Sequence, residues 1–319
     1  MIDFRYHIVS IVSIFLALAV GIVLGAGPLQ GQLGQSLSNE VHTLRQTKEQ
    51  LNDQLNTAKD GLSSRDGFIT DITPEMVGGR LAGRSVTLIE LPGASSDMAK
   101  QVTSVLKTAG AKVNGTVSVK SAWTDPAKKA ARQQLATDLA PLARVSPPAG
   151  ASQESEPILA GVLTRGLVTT DVSAADKPDD AAQTALAGLR TGGLIDFSGK
   201  GPDPATLAIV LAGPPTPGET AAQQQAEATT YAVLARALRA GSSGTLAISD
   251  ADGTATGATL HAIRTDKQAS AAVSTVDDAD QPMGLITVVL AMREQLDGAS
   301  GQYGTASGAK ATEPDPTTS

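Results

Sequence analysis

The sequence predicts an α/β protein in three parts: an N-terminal transmembrane helix, a coiled-coil stalk, and a layered α/β domain ending in a disordered tail. Three observations predict it. Twenty uncharged residues run from Ile8 to Gly27, heptads of apolar residues repeat behind them, and from about Arg84 short apolar runs alternate with Ala-rich amphipathic stretches. The boundaries drawn from these signals are 1–7 for the leading flank, 8–27 for the membrane helix, 29–66 for the stalk, 68–303 for the globular domain and 304–319 for the tail.

At ~1.5 Å per residue, a helix over IVSIVSIFLALAVGIVLGAG covers about 30 Å, the thickness of a bilayer's hydrocarbon core. A cleaved signal peptide has a shorter apolar region and a small-residue cleavage site. Here a cut after Ala26 puts Leu24 where a small residue is wanted, and a cut after Gly27 leaves Pro28 behind the scissile bond. The segment therefore reads as a retained, single-pass anchor. Arg5 precedes it and the next cation is Arg45, which places the N-terminus in the cytoplasm and the bulk of the chain outside. Ala17, Gly21 and Gly25 recur every fourth residue, a spacing that lets two membrane helices approach closely. It also arises simply because Gly and Ala are common in such helices.

Behind the anchor, Leu37, Leu44, Leu51 and Ala58 are spaced by sevens, with Val41, Lys48, Leu55 and Leu62 on the alternate seam. The first set occupies d and the second a, and Leu at d with Val and Lys at a favours a parallel homodimer. Glu40 at g then faces Arg45 at e of the partner. The other reading is a lone amphipathic helix packed on its own domain. Gly61 and Gly67 are expected to end the run.

In the globular part, SVTLIELPG (85–93), AKVNGTVSVK (111–120), LIDFSG (194–199), TLAIVLAG (206–213) and TLAISD (245–250) read as strands. SDMAKQVTSVLKTAG (96–110) reads as a helix with a Ser N-cap and Gly terminator, and helices follow near 126–140, 155–166, 179–190 and 218–240. GATLHAIR (257–264) reads as a further strand, and MGLITVVLAMREQLDG (283–298) as strand-like, then helical. Linkers are expected at 147–157 and 212–220, and the Gly/Ser/Pro-rich end is expected to be disordered. With one Trp, three Tyr and four Phe, the chain lacks the aromatic girdles of a membrane β-barrel.

Composition narrows the chemistry. The chain has 25 Lys+Arg against 32 Asp+Glu and a formal charge of -7, with no basic run, so a nucleic-acid-binding body is not expected. Zero cysteines exclude disulfides, thiolate metal sites and thiol catalysis. The sharpest cluster is STVDDADQP, with Asp277, Asp278 and Asp280. Carboxylates suit hard cations, but no EF-hand spacing accompanies them, and a solvated turn fits better. The three histidines, His7, His42 and His261, meet no G-x-S-x-G elbow, and SGKGPD (198–203) does not match a phosphate loop. No catalytic activity is expected. Copper prefers thiolate, thioether or imidazole ligands, and the methionines past the initiator, Met76, Met98, Met283 and Met292, do not cluster; no cofactor is expected from the residues themselves.

The R-x-H-x-V-S-x-x-x-x-FLALA start, the STVDD segment and the Q-Y-G-T-x-x-G-A close resemble the actinobacterial MctB-like proteins, labelled copper transporters or copper transport outer membrane proteins. The resemblance covers essentially the full length. It implies a role in copper transport or homeostasis at the cell envelope, with an outer-membrane location in some relatives. Relatives of this family are also tied to cell separation, as membrane partners that help control cell-wall hydrolases, which implies as an alternative a coiled-coil interaction protein acting through an envelope partner. It carries no catalytic or ligand residues with it. The mechanism expected from the residues is a tethered scaffold rather than a pore.

Overall fold

The strands at the centre of the domain are continuous apolar runs because both faces of the sheet are covered. In the computed structural model, which describes residues 4–25, 29–146 and 154–315, the chain divides into two compact units, Met1–Arg65 and Asp66–Ser319.

The first unit opens with α1 (Phe4–Gly25), whose mean hydropathy of 2.8 and 22 residues make it long and apolar enough to cross a membrane. The cleavage positions considered above, Ala26 to Pro28, lie outside the described residues. α2 (Leu29–Val77) follows, 49 residues long, with its residues from 66 on counted in the second unit. It does not stop at Gly61 or Gly67, contrary to the expectation of a run ending near 66. A helical glycine costs only about 1 kcal/mol, and neither of these approaches a neighbouring atom.

The second unit is built on a seven-stranded sheet in the order β3-β2-β1-β4-β5-β6-β7. The strands are β1 (Ser85–Glu90), β2 (Lys112–Val119), β3 (Ile195–Phe197), β4 (Leu207–Leu211), β5 (Gly244–Ile248), β6 (Ser274–Val276) and β7 (Gln302–Tyr303). All neighbours are parallel except β2 and β3. The helices are α3 (Ser96–Thr108), α4 (Lys129–Leu142), α5 (Ser155–Leu167), α6 (Asp180–Thr191), α7 (Ala221–Gly241), α8 (Thr259–Thr265), α9 (Lys267–Ala272) and α10 (Pro282–Leu296).

Alternate residues of each central strand enter two different cores. Ile89, Val117, Val210 and Ala247 pack with α4 to α9, while Leu88, Ile209, Leu246 and Val276 pack with α3 and α10. Side chains of successive strand residues point to opposite faces, which produces this division. Local signals fix the helix starts: Ser95 accepts a hydrogen bond from the Met98 N–H at 3.3 Å, Asp179 from Ala182 at 2.9 Å, and Thr220 with Gln223 forms a reciprocal capping box.

Three further expectations are corrected. GATLHAIR is helix α8, not a strand, and MGLITVVL is the buried first half of α10, not strand-like. Short apolar runs rich in β-branched residues do not separate a buried helix from a strand; Pro282 at the first helical position was the signal to weigh. The tail is ordered as far as it is described: the Lys310 N–H donates to the Gln302 carbonyl at 2.8 Å and Gly304 to Ala311 at 3.0 Å. The linker residues 147–153 and the last residues of the expected disordered tail, 316–319, lie outside the described residues.

Candidate functional site

In a doubly wound sheet the loops leaving the strands' carboxyl ends diverge where the strand order reverses, and the crevice left there is the usual ligand position. Here the reversal falls between β1 and β4. β1 leads to α3 in one core and β4 leads to α7 in the other. Gly213 makes the fork tight: a Cβ there would fall on the carbonyl of Gly93.

The fork opens into a cavity of about 440 Å³ lined by Pro92, Thr124, Arg132, Glu156, Thr216, Glu219 and Glu227, among others. Arg132 is buried at 4% exposure. Its Nη1 donates to the Ala122 and Asp125 carbonyls at 3.0 and 2.6 Å, and its Nη2 to Glu156 at 3.1 Å. Burial raises the Glu156 carboxyl, but its own backbone N–H, Arg132 and Ser155 outweigh that and hold it below the ordinary value. Glu227 accepts from the Thr216 hydroxyl at 2.9 Å and from Thr124 at 3.5 Å. Glu219 is pushed up by desolvation and by the Glu227 charge beside it. Tyr231 lines a separate small recess that shares Pro92, Thr216 and Glu227 with this cavity; burial pushes its phenol up. Among the described residues, Arg132 Nε, Ser155 Oγ and Tyr231 Oη are buried polar atoms of this region without a hydrogen bond of good geometry.

The aspartates Asp277, Asp278 and Asp280, read as a solvated turn or, less well, a metal loop, sit elsewhere on the same edge, after β6; the first two are buried rather than solvated, and the three do not share one environment. Asp277 is fully buried and ion-paired with Arg264 at 2.8 Å. It also accepts the Thr305 and Ala306 N–H groups at 2.8 and 3.0 Å. Arg264 in turn donates to Thr275, Tyr303 and Ser307. Gly304, at φ +125, leaves room for the carboxylate that a Cβ would occupy. Asp277 is thus a clasp on the C-terminal segment. Asp280 is exposed. No group of three His, Cys, Asp or Glu among the described residues is arranged to hold a metal ion.

Asp278 is 1% exposed, and neither carboxylate oxygen has a hydrogen-bond partner. Burial, then the Asp277 charge, pushes its pKa from 3.8 up to about 6. The folded state therefore holds this proton more tightly than the unfolded state. Its contribution to stability is complete below about pH 4 and is lost as pH rises through 6, by up to about 3 kcal/mol. Asp278→Asn is expected to abolish that fall, which urea denaturation at pH 4.5 and 7 measures. An unchanged pH slope in the variant would refute the assignment.

The predicted stalk seam is solvent-facing in the single chain. Leu37, Val41, Leu44, Leu51, Leu55 and Leu62 are 46–63% exposed along α2. Ala17, Gly21 and Gly25 are exposed on α1. Sequence reasoning missed the crevice entirely, because its walls come from segments far apart in the chain, joined by strand order alone.

A helix long and apolar enough to cross a membrane, followed by a long helix and a mixed α/β domain, fits the class of membrane-anchored α/β proteins. The family model described as "Copper transport outer membrane protein, MctB" matches residues 1–314, and the chain belongs to that family. It is 32% identical to proteins named Copper transporter MctB from Mycobacterium tuberculosis and Mycobacterium bovis, over 97% of this chain and 98% of each relative. The Mycobacterium leprae protein of the same name is also 32% identical, over the same shares.

Proposed function

We propose that this chain is a single-pass cell-envelope protein of copper transport or homeostasis that works as a non-enzymatic tethered scaffold. Its N-terminus lies in the cytoplasm and its layered α/β domain outside, and its stalk pairs in parallel with a second copy as a coiled coil. The observation that carries this reading is the exposed seam: six apolar side chains at a and d spacing on one continuous helix. Such a stripe gains its burial from a partner helix. At ~1.5 Å per residue, α2 is about 70 Å long. The copper connection comes from the names of the family and of its relatives. The open, helix-covered sheet supports a scaffold over a barrel, whose strands need about 9–11 residues.

Because the chain has no cysteine, a single introduced one reports pairing directly. Leu44→Cys, at d, is expected to give a disulfide-linked dimer on mild oxidation of the full chain in nanodiscs, and Gln46→Cys, at the outward f position, far less. Equal cross-linking at both positions, or none at Leu44→Cys, would reject the parallel coiled coil. A Cu(I) and Cu(II) titration of the same chain tests the copper side. Heat from a tight stoichiometric site would replace the scaffold reading with direct carriage.

A further inference from the structure

We propose that the crevice between the β1 and β4 loops binds a small organic cation: a ligand carrying a primary ammonium group and, on the same molecule, a hydrogen-bond acceptor. This goes beyond the scaffold reading and does not depend on it.

The charge of the cavity selects the first feature. Asp125, Glu156, Glu219 and Glu227 line it against Arg132 as the one guanidinium. Arg132 is already committed to Glu156 and two carbonyls, and Asp125 caps the Ala127 N–H at 2.8 Å. Glu219 and Glu227 are left side by side, Glu227 with two hydroxyls as its partners, and neither is in an ion pair among the described residues. An ammonium group supplies three donors, matching two carboxylates that repel each other until a positive charge sits between them.

The unpartnered atoms select the second feature. Among the described residues, Arg132 Nε is a buried donor without an acceptor, and Tyr231 Oη, in the recess next to the cavity, is a buried hydroxyl beside Thr124 and Glu227 with no hydrogen bond of good geometry. A buried polar group left unpaired is destabilising, and a ligand oxygen relieves that at Arg132. The volume, about 440 Å³, is that of a small-molecule site. A metal ion fits less well, since no third protein ligand joins the two carboxylates among the described residues.

A free amino compound and the lysine side chain of a partner protein share this chemistry. The probes are therefore 6-aminohexanoate for the first source and N-acetyl-lysine amide for the second, titrated calorimetrically into the full chain in nanodiscs. Trp123, the single tryptophan, precedes Thr124 of the cavity wall and gives a fluorescence readout. Saturable binding of either probe is expected, at least ten-fold weaker in Glu227→Gln and in Tyr231→Phe. N-acetyl-6-aminohexanoate, which lacks the ammonium, is expected not to bind. The tighter of the two probes names the source. Glu219→Gln alters an exposed side chain, so it keeps the test valid if a buried variant fails to fold; it too is expected to weaken binding. The proposal is overturned by no saturable heat from either probe, by equal binding of the acetylated control, or by affinity unchanged in Glu219→Gln and Glu227→Gln. It is equally overturned if those variants abolish binding of Cu(II) alone while neither amine binds.

Discussion

Arg264→Ala is expected to lower the stability of the globular domain by about 3–5 kcal/mol at pH 7, the usual cost of breaking a buried ion pair from one side. Asp277 would be left as a buried charge whose remaining partners are two backbone N–H groups. The variant also loses three donated hydrogen bonds, to Thr275, Tyr303 and Ser307, so the segment around 303–311 is expected to lose its amide protection against hydrogen exchange before the rest. Urea denaturation gives the global number and exchange mass spectrometry the local one. A loss below about 1 kcal/mol, with the tail still protected, would show the pair to be incidental. Asp277→Asn/Arg264→Met, which removes both charges, is expected to recover a large part of the loss.

The second large effect belongs to Gly213. Its Cα lies so close to the next loop that an alanine Cβ would overlap the Gly93 carbonyl, and it would reach the Ala94 nitrogen at 3.0 Å. Both neighbours are backbone, which cannot swing aside as a side chain does. Gly213→Ala is expected to cost about 3 kcal/mol, the upper part of the range for overpacking, and to widen the fork between the β1 and β4 loops. Thermal unfolding checks the first effect. Native-like stability would mean that the two loops separate freely.

Much of the fold was legible in the sequence because the central strands are apolar without interruption and the helices carry capping residues. TLAIVLAG and TLAISD could be little else once both faces of a sheet need covering. The errors share one cause, an apolar run too short for its period to decide. GATLHAIR reads as a strand by the same signal, and on a strand Arg264 would not be brought onto Asp277 as helix α8 brings it. Without Arg264, the aspartates of STVDD looked like a solvated turn, and the glycines of QYGTASGA looked like disorder. In the structure those glycines let the chain wrap Asp277. The crevice left no trace in the sequence, since Arg132, Glu156, Glu219 and Tyr231 converge only after the strands are ordered.

The sheet is bounded by β3 of three residues and β7 of two, the latter closed off by a bridge from Tyr303 to Ala311. Unpaired strand edges are where proteins recruit one another into aggregates, and short or covered edges deny that template. Holding two copies of this domain next to each other on a membrane would raise their local concentration without opening a route to edge-to-edge stacking. Crowding is therefore a condition this architecture tolerates.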